Sequence, residues 1–173
     1  MSKPIRQLYD DQGVAGYYSE NSDTYQNPHS KFAIDCLLNQ WNNSFKSVLD
    51  LACGDGLITK YLTNNHMADL IYGCDKFMYE RYTKETGNVC YPLSFEDIAS
   101  FNFDIPKVDI IVISYAIDLI PKSYLNQFLL ALSFYSEYLL IIRPNNHSID
   151  ETYWKAVNSF KSAKSKSILY QKT

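Results

Sequence analysis

The sequence contains few of the residues that build metal sites or disulfide frameworks. Its three histidines, His29, His66 and His147, are scattered along 173 residues, and its four cysteines show no C-x-x-C spacing. This distribution predicts no metal site and no disulfide network, so we expect reduced thiols in a cytoplasmic protein. No apolar run approaches the ~20 residues that cross a bilayer, so a membrane partner is not expected.

The sequence also has fewer basic than acidic residues. Sixteen lysines and arginines oppose nineteen acidic residues, a formal net charge of −3, which gives no general attraction to nucleic acid or to an acidic membrane surface. Only the last segment is locally basic, with Lys161, Lys164, Lys166 and Lys172 and no acid among them. We interpret these lysines as a solvated helix face and tail, and a nucleic-acid contact is the alternative.

The remaining composition is that of a globular chain. Apolar residues make up 46% of the sequence and charged residues 20%, and the length suffices for one domain with a sizeable core but not for two ordinary ones. We therefore expect a single domain over residues 1–173.

A turn of small residues is the feature around which the sequence is organised. The apolar run that ends at Asp50 is followed by Gly54 and Gly56, after which apolar positions recur with helical spacing. This pattern predicts a strand, a tight turn and a helix. The glycines permit positive φ or close approach of a ligand, and the first turn of the helix offers unpaired N–H groups to a carboxylate or phosphate.

Two nucleotide-binding patterns do not fit this turn. A dinucleotide fingerprint read from Gly54 needs a third small residue where this chain has Thr59, and the phosphate loop needs a Gly-Lys-Ser/Thr ending that is missing. A turn with a purely structural role is the alternative that remains.

Two acidic segments follow at informative distances. Asp75 ends a short apolar strand 21 residues after Gly54, where a carboxylate could accept hydrogen bonds from a ribose diol, although it could also cap the next helix. In the segment 94–99, Asp97 could accept from an adenine amino group and Ile98 could cover the ring. Glu96 is a rival for this contact, and a capped helix start is the alternative for Asp97.

These three segments together resemble the first three motifs of class I S-adenosylmethionine (SAM)-dependent methyltransferases, in particular a branch of small, largely uncharacterised members. The resemblance covers most of the chain and implies a Rossmann-like fold, SAM as cofactor and S-adenosylhomocysteine (SAH) as product. It implies that the turn wraps the amino-acid end of SAM, although Ala52 stands where the family more often has glycine. The implied cofactor-binding residues are Tyr18, Tyr25, Asp50, Ala52, Cys53, Gly54, Asp75, Lys76, Glu96, Asp97, Ile98 and Ser114.

Residues 1–16 are polar, and we expect them to be loosely held. The resemblance also suggests an N-terminal lid over residues 1–27. Tyr18 and Tyr25 would lie on one face of a helix that Pro28 ends, and their rings could close over the cofactor, although a surface helix with buried tyrosines is an equal alternative. If the acceptor must lose a proton, Asp118 or His29 is the candidate general base.

The order of elements predicts the fold class. Apolar strands alternate with helical patterns, which indicates an α/β fold with a doubly wound, mostly parallel sheet of six to seven strands and helices on both faces. The continuous apolar runs at 108–116 and 138–143 predict central strands. Near the end we expect a helix over about 150–160 and a final strand at 167–170, so the C-terminal end is shortened and a usual seventh strand is absent or reduced.

The sequence therefore predicts a SAM-dependent methyltransferase that acts on a small molecule or a protein side chain by in-line displacement. No target-recognition region or basic face favours a long nucleic acid, and a monomer or homodimer is expected. The alternative is a catalytically inactive module that binds SAM or SAH for regulation. An oxidoreductase that binds a nicotinamide nucleotide is disfavoured by Thr59.

Overall fold

Two nearly continuous apolar runs form the centre of the sheet in the computed structural model, which describes residues 5–21, 30–144 and 147–173. Residues 110–113 of the first run are fully buried, and residues 139–142 of the second are 2% exposed or less. Burial on both faces is the property that distinguishes a central parallel strand from a half-exposed one. The prediction of central strands from these two runs is confirmed.

The described residues form one sheet of seven strands in the order β3-β2-β1-β4-β5-β7-β6. The first five in this order are parallel to one another, whereas β7 is antiparallel to both β5 and β6. The strands are β1 (Ser47–Leu51), β2 (Leu70–Cys74), β3 (Cys90–Tyr91), β4 (Val108–Ser114), β5 (Ser136–Arg143), β6 (Trp154–Lys161) and β7 (Lys166–Lys172). The expectation of a reduced or absent seventh strand is therefore wrong.

Helices cover both faces of this sheet, as predicted. They are α1 (Ile5–Asn21), α2 (Ser30–Gln40), α3 (Leu57–Asn64), α4 (Tyr79–Thr86), α5 (Phe95–Ala99) and α6 (Leu125–Leu132), with a short 3-10 helix at Ile117–Leu119. On one face α2 and α3 pack into a core with alternate residues of the central strands, and on the other face α5 and α6 do the same. No helix in the three described ranges is long and apolar enough to span a membrane.

The helix expected over about 150–160 is instead the edge strand β6. Its pairing with β7 shifts register between Ala156 and Asn158, so an extra residue interrupts the two-residue alternation of a strand. The apolar residues Trp154, Val157 and Phe160 consequently recur every three positions, which resembles the period of a helix. Only tertiary pairing with β7 distinguishes the two structures here.

The N-terminal segment also differs from expectation. Residues up to Gly16 are polar and were expected to be loosely held, but α1 begins at Ile5 and continues to Asn21 with a kink at Gly13. Gly13 has φ 74° and ψ 158°, a conformation outside the helical region that glycine adopts without a Cβ penalty.

Tyr82 of α4 explains why two glycines are required near the turn after β1. Its side chain is fully buried, and a Cβ on Gly73 would lie 2.6 Å from its ring atoms Cε1 and Cζ. A Cβ on Gly56 would lie 3.1 Å from Cδ2 of the same ring and 2.7 Å from Thr86. The absence of side chains at both glycines therefore lets α4 pack closely against β2 and the turn.

We expect Gly73→Ala to destabilise the protein by about 1–3 kcal/mol, because the added methyl group overpacks the Tyr82 ring in a filled core. Gly16→Ala is the matched control, since a Cβ there meets only the Gln12 Cβ at 3.5 Å, and alanine is the better helix former. Urea denaturation measures both variants. Equal stability of Gly73→Ala and the wild type would contradict this packing.

Candidate functional site

The turn between β1 and α3 is held in a strained, compact form. Ala52, Gly54 and Gly56 all have positive φ, at 56°, 55° and 81°, and the backbone N–H groups of Ala52 and Cys53 both donate to the Cys74 carbonyl at 2.7 and 3.3 Å. In the described part of the chain the N–H groups of Leu57 and Ile58 have no acceptor. The turn therefore ends in unpaired donors at the start of a helix, which favour a carboxylate.

The Asp75 carboxylate connects this turn to the end of β2. One oxygen accepts from Gly54 N at 3.0 Å, and the other accepts from Phe77 N and Met78 N at 2.9 Å each. Burial raises the pKa of Asp75, and the three backbone donors oppose that rise. The oxygen that accepts from Gly54 keeps a free lone pair, so Asp75 can brace the turn and still accept a hydrogen bond from a ligand.

A second carboxylate, Asp50, lies beneath the turn. It is 1% exposed, and one of its oxygens accepts from Thr59 N at 3.2 Å and from Thr59 Oγ1 at 2.8 Å. The Tyr82 hydroxyl lies 2.8 Å from Thr59 Oγ1. Because the Thr59 hydroxyl already donates its proton to Asp50, the Tyr82 hydroxyl is the donor in this hydrogen bond. Burial raises the pKa of Asp50 to about 7, which outweighs the opposing effect of the Thr59 hydrogen bonds.

A cavity of about 270 Å³ opens above these groups at the carboxyl ends of β1, β2 and β4. This volume is close to the lower end of the ~300–1,000 Å³ range of small-molecule sites. The Ser114 Oγ atom is buried beside the cavity and has no hydrogen-bond partner in the described residues. A ligand that fills the cavity could supply that partner.

Aromatic side chains of α1 form one wall of this cavity. Tyr9 and Tyr18 both line it, and their hydroxyl oxygens are 2.8 Å apart. Nine residues make about two and a half helical turns, which would place the two rings on opposite faces of a straight helix. The kink at Gly13 brings them together. Tyr18 also stacks on Phe77, with ring centroids 5.7 Å apart and planes inclined by 7°.

The cysteines near the cavity are reduced. The Sγ atoms of Cys53 and Cys90 are 3.7 Å apart, and all four cysteines are free. Burial raises the pKa of Cys53 and of Cys74, so both thiols are protonated near neutral pH and are poor nucleophiles.

The structure brings most of the predicted cofactor residues to this one cavity. Those that line it are Tyr18, Asp50, Ala52, Cys53, Gly54, Asp75, Lys76, Glu96, Ile98 and Ser114. Tyr25 and His29 lie outside the described residues. The sequence pattern therefore identified one contiguous region rather than scattered positions.

The Asp97 carboxylate caps a helix, which is the alternative role that the sequence allowed. Its carboxylate accepts from Ser94 N at 2.8 Å and from Ser94 Oγ at 2.6 Å, while Asp97 N donates to Ser94 Oγ. This is a capping box at the start of α5, and these hydrogen bonds hold the pKa of Asp97 below its usual value. Asp97 is absent from the cavity lining, whereas Glu96, its predicted rival, is present.

Asp118 is likewise engaged away from the cavity. Its carboxylate forms an ion pair with Arg143, which is 6% exposed at the end of β5, and Arg143 also donates to the His147 carbonyl at 3.1 Å. Asp118 is not part of the cavity lining, but its neighbour Leu119 is. In this structure the carboxylate therefore holds the loop after β4 through Arg143, and its role as a general base stays a prediction.

Several lining residues had no sequence signal of their own. Tyr9 lies in a segment expected to be loosely held, and Tyr115 and Tyr124 flank the loop after β4. Phe77 could have been found, since it follows Asp75 by two residues at the end of β2. Tyr115 has φ 57°, a strained conformation that composition cannot reveal.

No family model matches this sequence, and no curated protein matches it. Solved structures do resemble it. The TehB-like SAM-dependent methyltransferase from Corynebacterium glutamicum is 13% identical, with a TM-score of 0.63 over 99% of this chain and 100% of that chain. The N-methyltransferase NodS from Bradyrhizobium japonicum, in complex with SAH, is 11% identical, with a TM-score of 0.63 over 96% and 97%. An rRNA methylase from Escherichia coli is 13% identical, with a TM-score of 0.61 over 96% and 73%.

This protein thus has the fold of the class I SAM-dependent methyltransferases. The predicted fold class, a doubly wound and mostly parallel sheet, is confirmed. The antiparallel hairpin of β6 and β7 adds the last two strands to this sheet.

We expect Asp50→Asn to remove a pH dependence of stability. Asparagine keeps an oxygen for the Thr59 donors but cannot ionise. In the wild type the folded state holds a proton on Asp50 up to pH about 7, whereas the unfolded chain loses it near pH 4. The free energy of unfolding therefore falls as pH rises through this window, on the order of 4 kcal/mol, and the variant lacks that fall.

Urea denaturation of both proteins between pH about 4 and 8 measures this difference. Because other groups titrate in the same window, the informative quantity is the wild-type free energy minus that of the variant at each pH. Parallel curves for the two proteins would contradict the protonated state of Asp50.

Proposed function

We propose that this protein is a SAM-dependent methyltransferase. The observation that carries the proposal is the cavity at the carboxyl ends of the parallel strands. The start of α3, the Asp75 carboxylate and the Ser114 hydroxyl meet there, and among the described residues the first N–H groups of α3 and the Ser114 hydroxyl have no partner. Ligands of doubly wound sheets bind at this edge. The neighbour NodS was solved with SAH, which supports the same class of cofactor here.

The lining residues fit the chemical parts of SAM. The start of α3 would hold the carboxylate of the amino-acid end, because the N–H groups of Leu57 and Ile58 have no acceptor in the described residues. The turn at 52–54 would lie against the rest of that end. Asp75 would accept from the ribose diol, and the segment 93–96 with Lys76 would surround the base. Glu96, rather than Asp97, would accept from the adenine amino group, since only Glu96 lines the cavity.

When bound, SAM supplies an activated methyl group on a sulfonium, so the protein chiefly has to align an acceptor and exclude water. Tyr9, Tyr18 and Phe77 would do this as a lid formed by α1 and the turn after β2. Asp118 and Arg143 would act as positioning residues, because their ion pair holds the loop that carries Leu119 against the cavity. His29 remains a candidate base for an acceptor that must lose a proton.

We further propose that the acceptor is a small molecule or a protein side chain rather than a long nucleic acid. The net charge of −3 supports this choice. A cytoplasmic location fits four free cysteines, and a monomer or homodimer is the expected assembly.

A module that binds SAM without transferring the methyl group is the second candidate function, favoured by the ion pair of Asp118 with Arg143.

We expect Asp75→Ala to weaken SAH binding by about 1–3 kcal/mol, because it removes a ligand acceptor and the brace on Gly54. Asp69→Ala is the matched control, since Asp69 is an exposed acid at the opposite end of β2. Isothermal titration calorimetry measures both affinities, and circular dichroism checks that each variant is folded.

Unchanged SAH affinity in Asp75→Ala would refute the assigned site, and saturable binding of NAD without SAH binding would refute the cofactor class. Conversion of SAM to SAH with pooled metabolites or peptides as acceptors then separates the two candidate functions. Turnover supports the enzyme, whereas tight SAM binding without any turnover favours the regulatory module.

A further inference from the structure

Three cations lie side by side across the last three strands of the sheet. Arg143 of β5 is the register partner of Lys166 of β7, and Lys166 is in turn the register partner of Lys161 of β6. Register partners in antiparallel strands point to the same face, with Cβ atoms about 5 Å apart. We call Arg143, Lys166 and Lys161 the cationic row.

Such a row opposes folding unless an anion compensates it. Like charges directly opposite each other in a sheet are destabilising. Arg143 is paired with Asp118, but neither lysine of the row forms an ion pair with any residue that the structure describes. Lys164, in the turn between β6 and β7, is not part of the row, because its ammonium lies 5.8 Å from the ring centroid of Phe32.

The antiparallel direction of β7 places this row at the cavity edge of the sheet. Arg143 ends β5 at the same edge as Ser114, and Lys161 and Lys166 flank the turn of the β6–β7 hairpin. Two contacts join the row to the cavity wall. Tyr115, which lines the cavity, is hydrogen-bonded through its hydroxyl group to Ser165 in the hairpin turn. Asp118, next to the lining residue Leu119, is bonded to Arg143.

We propose that the cationic row binds an anionic group of the methyl acceptor, a phosphate or a cluster of carboxylates. The inference rests on the proposed function, because it assigns the acceptor class of the same site. Lys161 and Lys166 supply rotatable ammonium donors, and Arg143 supplies a fixed positive charge between them and the loop after β4. The acceptor is then a small anionic molecule whose charged end lies over β7 while its reacting atom enters the cavity.

The described charges favour a small molecule over RNA as the source of the anion. The two lysines of the row lie next to one hairpin turn, whereas a nucleic acid needs a basic surface that follows several phosphates. The chain as a whole carries a charge of −3. An RNA oligonucleotide is nevertheless included below as a separate outcome.

The test uses the full chain, titrated with pyrophosphate and with citrate in the presence and absence of SAH, and follows backbone amide chemical shifts by NMR. The double variant Lys161→Gln, Lys166→Gln removes two charges of the row. The matched control Lys155→Gln, Lys172→Gln removes two charges from the other end of the same two strands.

We expect saturable shifts at residues 160–167 and an affinity loss of about tenfold or more in the row variant, because charge-assisted hydrogen bonds are lost. The control variant should bind like the wild type. We also expect the row variant to unfold at a higher temperature than the wild type at low salt, with the difference vanishing at ~1 M salt, where the Debye length is ~3 Å.

Absence of saturable shifts, or an equal affinity loss in both double variants, would overturn the inference. An RNA oligonucleotide could instead bind far more tightly than pyrophosphate and lose affinity in the row variant alone. That result would overturn the assignment of the anion to a small molecule. SAH affinity is measured on the same samples. A protein that binds SAH but no anion refutes only the cationic row, whereas one that binds no SAH refutes the proposed function independently.

Discussion

The arrangement of the site depends on the hydrogen bonds that the Asp75 carboxylate makes with three backbone N–H groups. Gly54 belongs to the turn after β1, and Phe77 and Met78 belong to the turn after β2. One side chain therefore fixes the separation of the two turns that form the cavity floor. Asp50 reinforces the first turn from below through Thr59, so two partly or fully buried carboxylates set the geometry in which a ligand is held.

Sheet topology decides which residues can join this site. Parallel strands bring the ends of β1, β2 and β4 to one edge, and the reversal of β7 brings a hairpin turn to that same edge. The resulting site has two chemically different sides. Aromatic rings and acidic groups surround the cavity, while positive charge follows the neighbouring strands. This division gives a physical basis for separating cofactor contacts from acceptor contacts.

The sequence predicted those parts of the structure whose signals are local. Continuous apolar runs predicted β4 and β5, because both faces of these strands are buried. The glycines and Asp75 predicted the cavity floor, because a tight turn and a carboxylate at a strand end can be read from a few neighbouring residues. The sequence failed where pairing decides. The bulge at Ala156 gave β6 a helical period. For Asp97 the sequence allowed two roles, and the structure shows the capping box. The contact of Tyr9 with Tyr18 depends on a kink at Gly13 that spacing alone does not reveal.

A crystal structure of this protein with saturating SAH tests the central claim most directly. The account predicts the homocysteine part against the turn at 52–54, the ribose hydroxyls within hydrogen-bond distance of Asp75, and the base beside Glu96. An empty cavity, or one closed by the protein's own side chains at saturating SAH, would contradict it. SAH bound elsewhere on the protein would contradict it as well.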